Sequence, residues 1–274
     1  MVYSKLNDEE EFEAPATAEE PIVSTKAAIE REFQHTLVWK EPLVDGDTKI
    51  EPGSLNLYKY PDAFGGKELV LLRSVLLELA KTDCFHDTDR AGACPIHALV
   101  VSNSDSSLEL AMEIFEKVPT LLPQTHAPGP FTGEGVLHFL CVNRREEEAI
   151  RVVELALAHL SEEDVRHALR TQATGLFFTE PPMSLYGESP LSYACVFGLR
   201  TLVQKMVATR MVSLGEEAGA LSGLLPLHVA VANGLADMYD FLLDLGADLQ
   251  GSHRAPTTPH CVRALSSLWR VHHV

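Results

Sequence analysis

From Lys67 to Lys81 the run KELVLLRSVLLELAK places apolar residues at helical spacing, which predicts a buried helix. Downstream the same periodicity returns in blocks, each opened by a common short pattern. GACPIHALV (Gly92–Val100), GEGVLHFLC (Gly133–Cys141), GESPLSYAC (Gly187–Cys195) and GLLPLHVAV (Gly223–Val231) share one frame, roughly Gly-x-x-(Pro)-Leu-(His)-x-x-small. Each block predicts a short first helix followed by a second, amphipathic one. The Gly accepts the tight turn before the first helix. Pro95, Pro190 and Pro226 fall in the first helical turn, where a missing N–H costs nothing. Leu and the small residues are expected to face the neighbouring block, small side chains allowing close approach. Upstream, residues 1 to about 60 carry Pro15, Pro21, Pro42 and Pro52 and little sustained periodicity. They are expected to be a mostly disordered tail, with a short helix near Lys26–Phe33.

The repeated frame resembles the opening of an ankyrin repeat. After the fourth block, ANGLADMYDFLLDLGADLQ adds the Asn-Gly of the middle of that unit, and Gly246–Asp248 its end. A closing Gly of this kind ends a helix in the left-handed conformation. The frame advances by 41, 54 and then 36 residues, against about 33 for a plain ankyrin unit. The surplus is therefore expected to loop out as fingers, the longest holding GLFFTEPPMSLYGE from Gly175 to Glu188. The expected fold is an all-α ankyrin-repeat solenoid over residues 67–250, with long finger loops, an acidic disordered tail before it and a non-repeat tail from 251 to 274.

The insertions narrow the resemblance. Gly175, Phe177 and Phe178 match the start of the third repeat in the cytoplasmic N-terminal domain of vanilloid-type transient receptor potential cation channels. Tyr186, Gly187, Glu188, Pro190, Leu191, Ser192, Ala194 and Cys195 match its continuation. FTGEGVLHFLCVNRREE resembles the second repeat of that family, with the pair Arg144 and Arg145 at its end, and DRAGACPIHALV has the shape of the first. The resemblance implies a regulatory and assembly domain of a calcium-permeable channel, at the inner face of the plasma membrane. Its partners would be neighbouring subunits of a homo- or hetero-tetramer. Members that bind nucleotide use lysines in the first repeat, where this chain has Ala93 and His97, and a Gln-type residue where it has Glu134. A triphosphate would meet a poorer field there, so no cofactor is expected. After Gly251 the segment SHRAPTTPHCVRALSSLWRVHHV resembles nothing in the family, and the chain is expected to be a form truncated before the six membrane helices of such a channel. The tail's Leu265, Leu268 and Trp269 are candidates for a cap on the last repeat. The alternative reading is a free-standing soluble ankyrin adaptor holding a protein partner. A third is a short form that joins channel tetramers.

Composition restricts the partners. The net charge is −17, which disfavours nucleic acid and anionic membrane surfaces. Asp8, Glu9, Glu10, Glu11, Glu13, Glu19 and Glu20 crowd the first twenty residues, whereas no carboxylate side chain follows Asp248. No stretch reaches the roughly 18–20 apolar residues of a membrane helix, the nearest being Leu221 to Leu235 with Pro226, His228 and Asn233. With no secretory signal, Cys84, Cys94, Cys141, Cys195 and Cys261 read as free thiols in the cytosol.

Candidate chemistry thins out on inspection. His97, His138 and His228 recur in frame, so they would lie about 10 Å apart, too far to share an ion. Their expected work is a hydrogen bond within the turn. Cys141 and Cys195 occupy the small position held elsewhere by Val100 and Val231, which predicts packed core thiols. Cys84, His86 and Asp87, and the tail residues His253, His260, Cys261, His272 and His273, lack the paired spacing of a zinc site. No G-x-S-x-G or phosphate loop occurs, and Glu188 and Ser192 are accounted for by the repeat. No catalytic, metal or cofactor residue is therefore expected. The candidate protein-interaction residues are Phe177, Phe178, Tyr186 and Phe197 of the finger region, with Arg144 and Arg145.

Overall fold

A computed structural model describes residues 35–60, 64–129, 131–175, 185–215 and 224–247. The chain is mostly helical, with ten α-helices among the described residues. It divides into two compact units, Met1–Leu121 with His126–Gly129, and Leu122–Thr125 with Pro130–Val274. The sequence predicts one continuous helical domain instead. The division runs through the surplus between Gly92 and Gly133. There, Ala127 N–H donates back to Gly92 O at 2.8 Å, which keeps His126–Gly129 with unit one.

Unit one opens with strands. β1 (Thr36–Trp39) pairs antiparallel with β4 (Gly53–Asn56), Thr36 opposite Asn56 and Trp39 opposite Gly53. β2 (Leu43–Asp45) pairs antiparallel with β3 (Thr48–Ile50) across a turn with Gly46 at φ +55°. The expectation of a mostly disordered tail to about residue 60 fails from Thr36 onward, where strands begin. Leu37 and Trp39 alternate with exposed Thr36 and Val38, a period of two too short to stand out. Pro42 and Pro52 punctuate strand ends, where a missing N–H is tolerated. The short helix expected near Lys26–Phe33 lies outside the described residues.

A 3₁₀ turn, Leu57–Lys59, follows, its Tyr58 N–H capped by Asn56 Oδ1 at 3.0 Å. The helix expected at Lys67–Lys81 is α1 (Gly66–Leu79). It buries Leu71, Leu72, Leu76 and Leu77 and packs on β2, β3 and α3. The first repeat supplies α2 (Pro95–Ser102) and α3 (Asp105–Lys117), the latter capped by Ser104 Oγ, which accepts Ser107 N–H at 3.1 Å.

Unit two contains α4 (Val136–Val142) and α5 (Glu146–His159), then α6 (Glu162–Arg170). Two further pairs follow, α7 (Pro190–Val196) with α8 (Arg200–Ala208), and α9 (Pro226–Ala232) with α10 (Ala236–Asp244). The first helices stack on one another, α4 on α7 and α7 on α9, while α5 packs on α8 and α6 on α7. The core lies where they meet, in Val136, Phe139, Leu140, Leu191, Tyr193, Ala194, Leu227 and Ala230. Among the described residues no helix is long and apolar enough to cross a membrane.

The four helix pairs share one local geometry. Three residues before three of the four first helices stands a Gly with positive φ, at Gly92 (+81°), Gly133 (+80°) and Gly187 (+77°). The fourth, Gly223, lies outside the described residues. Between the helices of each pair one residue is again left-handed: Asn103 (+54°), Arg144 (+56°), Gly198 (+78°) and Gly234 (+67°). Within unit two, Arg145, Leu199 and Leu235 then donate backward to Leu140, Ala194 and Ala230 O at 2.9 Å each. These bonds close the last turn of the first helix and launch the second.

Candidate interaction surface

The turns opening three of the four first helices are built around the predicted histidine. Cys94 N–H donates to His97 Nδ1 at 3.3 Å, Gly135 N–H to His138 Nδ1 at 3.0 Å and Leu225 N–H to His228 Nδ1 at 3.2 Å. Each bond satisfies an amide at a helix start and fixes the ring as a neutral acceptor at Nδ1. Burial keeps His138 neutral, lowering its pKa to about 3 against smaller pulls from the Glu188 and Gly135 backbone. The His228 imidazole is lowered by the same cause. In the third pair Ser192 stands at this position, fully buried in α7. In unit one the His97 ring also stacks on His126, centroids 4.3 Å apart and planes 17° apart.

The base of the longest finger is zipped by backbone. Gly187 N–H donates to Ala173 O at 2.6 Å and Ala173 N–H to Glu188 O at 3.1 Å. On the other side, Thr174 and Gly175 N–H both reach Thr132 O, at 2.7 and 3.0 Å. The approach beside Gly133 is so close that a Cβ there would lie 2.0 Å from Gln172 O. This backbone lacing is what holds residues 185–188 against the rest of unit two.

The named candidates fall in different places. Tyr186 is exposed at the finger base, at 37%. Phe197 is half-buried at the end of α7, its ring tilted over Tyr193 with centroids 6.4 Å apart. Arg144 is exposed and serves as the left-handed turn residue, while Arg145 is half-buried and 3.7 Å from Glu148. Phe177 and Phe178 lie outside the described residues. The exposed finger and turn residues thus differ in kind, an aromatic at the finger base and a guanidinium between paired helices.

Sequence reasoning places Glu134 and Glu188 in the repeat frame without foreseeing their burial. Glu134 and Glu188 are each 1% exposed, and both follow the left-handed Gly that opens a repeat. Tyr193 is also fully buried, and burial, then the charges of Glu134 and Glu188, push its pKa well up. The signal available was the Gly-Glu dipeptide repeated at 133–134 and 187–188, which composition alone assigns to the surface. Ala93, His97 and Glu134 are all buried, so none presents its side chain outward.

Among the described residues the thiols divide in two, and Cys261 lies outside them. Burial raises the pKa of Cys141 and Cys195, and pushes Cys94 up to about 12. Cys84 is exposed, its Sγ 2.9 Å from Thr82 Oγ1. Among the described residues no group of three or more His, Cys, Asp or Glu is placed to hold a metal ion. A scan against protein-family models finds no match for the chain, and a search of curated proteins finds none either.

Proposed function

We propose that the chain is an ankyrin-type repeat module that works by presenting surface to protein partners and carries out no chemistry of its own. The carrying observation is the fourfold recurrence of one local geometry, a first helix, a left-handed residue and a second helix, opened in three of the four by a left-handed Gly and with His Nδ1 capping three of the four first helices. Such units bury their apolar faces on each other and leave turns and fingers free for contact.

The finer reading is the cytoplasmic N-terminal assembly domain of a vanilloid-type calcium-permeable channel. Supporting it are the finger motif from Gly175 to Cys195 and the laced base that projects Tyr186. In this reading the finger touches a neighbouring subunit and biases a pore carried elsewhere. Co-expression with a full-length vanilloid-type channel, followed by affinity purification, tests it. The chain should co-purify with the channel, and Tyr186→Ala should weaken recovery severalfold. No co-purification at matched expression would leave the free-standing adaptor as the better reading.

A further inference from the structure

Around residue 126 the chain leaves unit one and returns to it. Leu121 belongs to unit one, Leu122–Thr125 to unit two, and His126–Gly129 to unit one again. This short strap lies close against the turn at Ala91 and Gly92. Ala127 N–H donates to Gly92 O at 2.8 Å. A Cβ at Gly92 would lie 2.4 Å from Ala127 O, and one at Gly129 would lie 2.8 Å from Ala91 O, so glycine is what lets the two backbones meet. The strap's titratable side chain, His126, is buried in the parallel stack with His97 of α2.

Both rings are thus held inside the protein with their faces in contact, where burial disfavours a charge on either. A proton on His97 Nδ1 would also break the bond from Cys94 N–H that opens α2. The groups facing the pair offer little compensation. Cys94 Sγ lies 3.3 Å from His97 Nδ1, and burial keeps that thiol protonated. The Asp89 carboxylate of the same turn is already engaged by Ala91 and Ala93 N–H and by Tyr58 Oη. Arg90 beside it is exposed and adds only positive charge. Two further elements pack on α2. α3 buries uncharged side chains alone, and the 3₁₀ turn Leu57–Lys59 brings the phenol of Tyr58, which burial keeps protonated, and an exposed Lys59.

We propose that the His97–His126 stack is an acid-released latch: a proton taken up by the pair parts the rings and frees the strap His126–Gly129 from unit one. The direction follows from linkage. The stack favours neutral rings, whereas a freed imidazole titrates near 6.5, so the open strap binds the extra proton and opens more readily as pH falls below that value. From pH 7.5 to 5.5 the open fraction should rise about tenfold for each ring released. The inference goes beyond the partner-binding reading and stands whichever partner the chain holds, because every group in it lies in unit one.

The test is hydrogen exchange at the Ala127 amide in the full chain, at pH 7.5 and 5.5, corrected for the intrinsic pH dependence of exchange. Wild type is compared with His126→Phe, which keeps a ring in the stack but takes up no proton. Protection at Ala127 should fall about tenfold in wild type and by less than about twofold in the variant. The amides of α3 should keep their protection in both. Unchanged protection in wild type, or an equal loss in His126→Phe, overturns the latch. A loss shared by α3 is unfolding of unit one and overturns it as well. Should His126→Phe lose helix content by circular dichroism, wild type decides: the ring protons of His126, followed by NMR, should titrate with the midpoint of the exchange. Lost protection without that titration sinks the proposal.

Discussion

The imidazole of His138 stands edge-on to the ring of Tyr193, centroids 4.7 Å apart and planes 83° apart. One ring caps the start of α4 and the other sits inside α7, so the contact locks two successive first helices. Aromatic pairs of this geometry contribute about 0.5–1.5 kcal/mol beyond area burial. In a double-mutant cycle of His138→Asn and Tyr193→Leu, measured by urea unfolding, coupling in that range is expected. Additive losses would mean the rings merely coexist.

His138 also makes unit two acid-sensitive. Its folded pKa is about 3, whereas an unfolded imidazole titrates near 6.5. Between those values the unfolded chain binds more protons, so stability falls as pH falls through that window. At pH 5 the cost from this residue is about 2 kcal/mol. His138→Asn keeps an acceptor for the Gly135 amide but does not titrate. Between pH 7 and 5, wild type should therefore lose about 2 kcal/mol more than His138→Asn. Parallel losses would show that the folded ring titrates normally.

The left-handed positions separate backbone demand from space. At Gly198 (φ +78°) a Cβ meets nothing within 4 Å, so Gly198→Ala should cost only the conformational strain, about 1–2 kcal/mol. Gly133→Ala adds the collision with Gln172 O and should cost about 3 kcal/mol or more. Equal melting shifts for the two variants would contradict the close approach at the finger base.

Arg144 admits a test in the opposite direction. Its φ of +56° strains a residue with a Cβ, so Arg144→Gly should stabilise by up to about 1 kcal/mol. If its guanidinium touches a partner, the same variant should bind that partner more weakly while melting higher. A lower melting temperature would show the side chain holding the turn together.

Much of this was legible in advance, for a physical reason. The left-handed turns at Gly92, Gly133 and Gly187 and the amide-to-histidine bonds are settled within three residues, so their spacing reveals that part of their work, whereas the close approach of Gln172 to Gly133 does not show in it. The packed thiols Cys141 and Cys195 were readable because Val100 and Val231 stand in the same register. What escaped depends on distant partners. The β1–β4 pairing joins Thr36 to Asn56 through residues that lack a long period, and His126 stacks on His97 across a loop. Glu134 and Glu188 were hidden by their own charge, since carboxylates are rarely so deeply buried. Arg144, a candidate contact residue by its place in the Arg-Arg pair, also serves through its backbone as the left-handed turn residue, which its identity does not reveal.

The surface candidates divide by burial. Tyr186→Ala should change stability by no more than about 0.5 kcal/mol, as for other exposed positions. Phe197→Ala breaks the contact with Tyr193 and should cost about 1–3 kcal/mol. Thermal melts of both variants check this, and a large loss for Tyr186 would remove it as a free contact residue.

The left-handed residues at Arg144, Gly198 and Gly234 carry a kinetic consequence. Each joins a helix to its immediate successor, so the two helices of a pair find each other without searching across the chain. Contacts between near neighbours in sequence form quickly, and such arrays can nucleate at any pair and grow outward. Unit two should therefore fold fast and open from its margins, with hydrogen exchange quickest in α10 and slowest in α7, which has a neighbour on each side.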